Sequence, residues 1–122
     1  MGAFNKYGDY ESMAFTLPVG AAAPLTFTFK RPYPFRVISL DQSCAACNAT
    51  DKVTVSLVVG TTTIMTGAPN TTVKTIISNT AADAGQTLEV AADALCHVTL
   101  AYAGTAASVN GICIMLTIQP TR

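Results

Sequence analysis

Charge is what this sequence has least of: 11% of its 122 residues are Asp, Glu, Lys or Arg, against about 25% in an average soluble domain. A surface this poor in charge is hard to keep dispersed as a monomer, so the deficit predicts that much of it is covered in a larger assembly. The seven basic and seven acidic residues cancel. The basic ones, Lys6, Lys30, Arg31, Arg36, Lys52, Lys74 and Arg122, are scattered, which argues against nucleic acid as a main partner. Tryptophan is absent, and with it the broadest platform on which a sugar ring could stack. The single histidine, His97, has no orienting carboxylate at motif spacing, so no general base is assembled. There is no glycine-rich phosphate loop and no G-x-S-x-G stretch. An enzyme and a cofactor are therefore not expected.

The N-terminal "MGAFNKYGDYESMAF" lacks a basic flank followed by an apolar run, and Lys6 occupies the Ser/Thr position of a myristoylation signal. The expectation is a chain made in the cytosol. The longest uncharged run, Ala94 to Thr121, is broken by His97, Asn110, two glycines and alternating threonines. A membrane-spanning helix is not expected there.

What is present is alternation with a period of two. "LTFTFK" sets Leu25, Phe27 and Phe29 on one face and Thr26, Thr28 and Lys30 on the other, as a half-buried strand requires. A stiff "RPYP" corner precedes a second strand from about Phe35 to Leu40. "VTVSLVVGTTTIMTG" reads as a hairpin about a Gly60-Thr61 turn, with Val59 facing Thr62, Leu57 facing Ile64 and Val55 facing Thr66. Further strands are expected at Thr72 to Ser78, Thr87 to Val90, Cys96 to Ala103 and Ile112 to Ile118. No stretch has a helical period. The pattern predicts an all-β, about eight-stranded antiparallel sandwich over residues 25–122, of jelly-roll or immunoglobulin-like topology. One domain of this length buries roughly two-thirds of its unfolded surface without staples.

Residues 1–24 read as an extended N-terminal arm ending in "LPVGAAAP". The arm holds Phe4, Tyr7, Tyr10 and Phe15, four of the nine Phe and Tyr residues. Aromatic residues favour interfaces and are scarce in disordered tails, so the arm is expected to dock on a neighbour, or else on its own sandwich. In "FKRPYPFR", Lys30, Arg31 and Arg36 flank Tyr33 and Phe35. That mix suits a rigid polar corner, and equally a contact with an acidic patch on a partner.

Cys44 and Cys47, in "SCAACNAT", form a C-x-x-C pair. With a strand rather than a helix following, a catalytic dithiol is not expected. Adjacent Cys96 and His97 point to opposite faces of their strand, which works against a shared zinc site. The expected roles are ordinary thiols, or a Cys44–Cys47 bridge in an exposed loop, with Cys96 in the core and Cys113 on the outward side of its strand. The carboxylates read as turn formers and solubilisers. Outward threonines at 26, 28, 54, 61, 63 and 99 suit subunit contacts, because a bonded hydroxyl is cheap to bury.

The stretches "DKVTVSLVVGTTTIMTGAP" and "AGQTLEVAADALCHVTLAYAGTAASVNGICIMLTI" resemble small β-sandwich virion proteins of tailed bacteriophages. In those a V-T-V-S-L-x-V-G-x-T-T hairpin precedes a half patterned as the second stretch is. The resemblance covers residues 35–118. It implies a jelly-roll-like capsid decoration, or cement, protein on the outer shell, often trimeric, that clamps neighbouring copies of the major capsid protein. The four cysteines lie outside the shared pattern. The alternative reading is a receptor- or glycan-binding module, such as part of a tail fibre.

Overall fold

A computed structural model describes residues 9–19, 25–104 and 109–121. Among the described residues nine strands are present: β1 (Glu11–Val19), β2 (Leu25–Phe29), β3 (Phe35–Ser43), β4 (Lys52–Val59), β5 (Thr62–Thr66), β6 (Ile77–Asn79), β7 (Glu89–Val90), β8 (Cys96–Ala103) and β9 (Asn110–Pro120). All pairings are antiparallel and fall into two sheets. One has the order β1-β9-β3-β6, with β7 also pairing β3, and the other has the order β2-β8-β4-β5. The first half of the chain thus pairs with the second in reverse order, β1 with β9, β2 with β8, β3 with β6 and β7, β4 with β5. This nesting is the jelly-roll order. An immunoglobulin domain would keep its first two strands in one sheet, and here β1 and β2 lie in different sheets.

Period-two alternation places the core. Val53, Val55 and Leu57 on β4, Val98 and Leu100 on β8, and Ile112, Ile114, Leu116 and Ile118 on β9 are all buried. Each such side chain contributes about 1.5–3 kcal/mol of burial.

Four expectations need correction. Residues 11–19 of the expected arm are strand β1, paired residue for residue with β9 from Glu11↔Ile118 to Val19↔Asn110. Met13, Phe15 and Leu17 pack against the core and Ser12, Ala14 and Thr16 face outward. The alternation is there in the sequence, between a polar start and the "LPVGAAAP" run that masks it.

The expected strand Thr72 to Ser78 shrinks to β6, three residues long. Val73 and Ile76 before it are exposed, since Lys74 takes a positive φ of 56° and breaks the extended backbone.

In the hairpin, Gly60 at φ 63° makes the two-residue turn and Val59 pairs with Thr62. A bulge between Leu57 and Val58 then shifts the register, so Leu57 pairs with Met65 and Ser56 with Thr66. The extra residue lets Ile64 and Met65, neighbours in sequence, both be buried.

Finally, Cys44 and Cys47 are bridged and are themselves buried, while Ala45, Asn48, Ala49 and Thr50 of their loop are exposed. Cys44 is 2% and Cys47 9% accessible.

Candidate functional site

The outer face of the β2-β8-β4-β5 sheet gathers most of the outward threonines. One row runs straight across all four strands: Thr26 pairs with Thr99, Thr99 with Ser56, and Ser56 with Thr66. The next row is Thr28, His97, Val58 and Thr63. Thr54 faces Ala101 behind them, and Thr61 sits at the hairpin turn. Successive members of a row stand about 4.8 Å apart. The only charged side chain that β2, β8 and β4 place on this face is Lys52, at one corner beside Ala103. The His97 Nδ1 lies 2.9 Å from the Thr28 hydroxyl, which ties the ring to the hydroxyl array. At its β5 end the row stops at an ionised group, since the Thr66 amide and hydroxyl donate to the Asp83 carboxylate at 2.9 Å and 2.7 Å; between that edge and Lys52 the face offers hydrogen bonds without the desolvation penalty of ionised groups.

The outer face of the other sheet is more apolar. Ala14 pairs with Met115 and Thr16 with Cys113, and across β9 Met115 pairs with Asp41 and Cys113 with Ser43. Ile76 joins Met115 and Cys113 around a shallow hollow. Cys113 is an exposed free thiol, whereas Cys96 is a buried one. Burial pushes the Cys96 thiol up, with Arg31 acting weakly in the other direction.

The basic corner is used internally. Arg31 pairs with Glu11, Nη2 to Oε2 at 2.7 Å, and its Nε donates to the same oxygen at 2.9 Å. The Tyr33 hydroxyl donates to the other carboxylate oxygen of Glu11. Arg31 also sits over the Phe29 ring, 5.9 Å from its centroid. Burial pushes the Glu11 carboxyl up, but the hydrogen bonds from Arg31 and Tyr33 and the Arg31 charge outweigh it and hold the group below its ordinary value. The same contact with Glu11 raises Arg31, and burial together with the Glu11 bond raises Tyr33. This cluster ties β1 to the β2–β3 corner. Arg36 pairs with Glu89 across β3 and β7 at 2.8 Å, half exposed, and Lys30 is exposed.

The four aromatic residues of the expected docking arm separate. Phe4 and Tyr7 lie outside the described residues. Tyr10 is exposed at 63%. Phe15 points inward and stacks at 5.2 Å and 6.2 Å on Phe27 and Phe29, so its ring serves the chain's own core.

Near the bridged cysteines, Asn70 is fully buried. Its Oδ1 accepts from the Thr72 amide at 3.3 Å, and Cys47 Sγ lies 3.9 Å away as a packing contact, the bridged sulfur having no proton to donate. Among the described residues, no three His, Cys, Asp or Glu side chains converge as a metal site would require.

No family model matches the chain, and no curated protein matches it. Solved structures share its architecture distantly. The EclA C-terminal domain, described as a sugar-binding protein, is 13% identical over 94% of this chain and 82% of its own, with a TM-score of 0.43. A CBM36 carbohydrate-binding module in complex with calcium and xylotriose is 14% identical over 95% of this chain and 92% of its own, with a TM-score of 0.40. A structure of the infectious bursal disease virus Gx strain is 11% identical over 93% of this chain and 33% of its own, with a TM-score of 0.40. These likenesses concern the β-sandwich fold alone.

Proposed function

We propose that this chain is a structural subunit of a larger assembly, with capsid decoration of a tailed phage, on the outer surface of the shell, as its specific form. The observation that carries the reading is the hydroxyl face of the β2-β8-β4-β5 sheet, where a row of Thr26, Thr99, Ser56 and Thr66 crosses four strands on a chain with 11% charged residues. Such a face loses little on desolvation and gains many modest hydrogen bonds. Repetition over a shell turns such contacts into tight binding without a deep pocket. The major capsid protein is the partner in this reading. Its contacts come from this face and from Tyr10 and Lys30, while Phe15, Arg31, Tyr33 and Arg36 act within the subunit.

The test is co-sedimentation of the purified chain with phage heads made from the major capsid protein of the same virion. Wild type is expected to bind, and Thr99→Lys, which places a charge at the centre of the face, is expected to lose binding while melting as wild type does. Heads left bare by wild type would sink the decoration reading. Binding to a glycan array that is lost on His97→Ala would replace it with the glycan-binding one.

A further inference from the structure

Each sheet has two edges, and three of the four are blunted in recognised ways. Natural edges are kept from pairing by shortness, bulges, proline or lysine. On the β1-β9-β3 sheet, β6 and β7 are three and two residues long. On the other sheet β5 is five residues long and carries the bulge at Ile64, and β2 is five residues long and runs into Lys30, Arg31 and Pro32.

Strand β1 has none of these protections along its middle. It is nine residues long, "ESMAFTLPV", a span of about 30 Å. Its charge and its proline are confined to Glu11 and Pro18 near the ends. Behind this edge the sandwich is open: Met13, Phe15, Leu17, Phe27 and Phe29 pack against the core yet stay only partly buried.

One antiparallel register, centred on Phe15, pairs β1 with a second β1 over its full nine residues. With Phe15 on a two-fold axis, Phe15 faces its own copy, Met13 faces Leu17, Ala14 faces Thr16, Ser12 faces Pro18 and Glu11 faces Val19. Residues directly opposite in an antiparallel pair share a face. The register therefore sets inward residues against inward, and outward Ala14 against outward Thr16. A two-fold contact of this kind is isologous and closes with two copies.

We infer that β1 pairs edge to edge with β1 of a second copy, joining two β1-β9-β3 sheets into one and completing the cover over Met13, Phe15 and Leu17. This inference does not depend on what the hydroxyl face binds. The trimer implied by the phage resemblance is the competing outcome, since three copies cannot share one two-fold strand pair.

Sedimentation velocity on the full chain tests it, in a Cys113→Ser background that removes oxidised dimers. Wild type is expected at twice the chain mass. Ala14→Lys with Thr16→Lys sets lysine against lysine at both symmetry-related pairs and is expected to shift the species to a single chain mass. Ala14→Lys with Thr16→Glu carries substitutions at the same positions but sets lysine against glutamate, and is expected to restore the dimer. A monomeric or trimeric wild type would overturn the inference, as would a Lys/Lys variant that remains dimeric or a Lys/Glu variant that remains monomeric. Head binding by the single-mass variant leaves the decoration reading standing by itself.

Discussion

The rings of Phe15 on β1 and Phe27 on β2, strands in opposite sheets, meet with centroids 5.2 Å apart and planes tilted by 33°. This contact makes the segment before residue 20 part of the sandwich. Phe15→Ala is expected to destabilise the chain by about 2–3 kcal/mol, at or below the lower end for core phenylalanines because the ring is only partly buried. Denaturant unfolding measures it. Removing residues 2–19, and β1 with them, is expected to abolish a cooperative transition.

The Glu11, Arg31 and Tyr33 cluster predicts a pH dependence. The carboxyl of Glu11 is held below its ordinary value in the folded chain, so the folded state binds its proton less readily than the unfolded state. The resulting stability is fully present above about pH 5 and is lost as pH falls through the folded-state value. Thermal midpoints recorded between pH 6 and pH 3 are expected to fall more steeply in wild type than in Glu11→Gln. At pH 7 that variant is expected to cost about 1 kcal/mol, a charge-assisted pair discounted for its partial exposure.

The cysteines should divide into three classes. Cys113 is exposed and is expected to react at once with an aromatic disulfide reagent under native conditions. Cys96 is buried, with its thiol pushed up by burial, and is expected to react only on unfolding. Two further thiols should appear after unfolding in reductant, from Cys44 and Cys47. Fast labelling of two or more native thiols would contradict this assignment.

Closing a loop of four residues, the Cys44–Cys47 bridge removes little denatured-state entropy, about 2 kcal/mol in the loop-closure account. Replacing both with alanine is expected to lower stability by about that amount plus a packing loss. The jelly roll should stay intact, because the bridged loop meets β9 only through the single Ala46–Asn110 bridge and none of the named strand pairs passes through it. Circular dichroism with urea titration checks both parts.

Alternation is local, so along regular strands such as β8 the sequence by itself determined which face a residue occupies. Cys96, Val98 and Leu100 turn inward and His97 and Thr99 outward, as read from "CHVTLAYA". The Gly60 turn was legible for the same reason, since only two positions and a positive φ are involved. Tertiary structure decided whatever depends on partners distant in the chain. The 105-residue separation between Ser12 and Thr117 gave no local signal that β1 lies beside β9. The partition of strands between sheets, which merges separate threonines into one hydroxyl row, came from that nested pairing. The bulge that buries Ile64 beside Met65 answers to the depth of the core. Arg31 turned from a docking candidate into a clamp because folding brings Glu11 within 2.7 Å of it, and only in the fold is β1 left as the one long edge without a neighbour among the described strands.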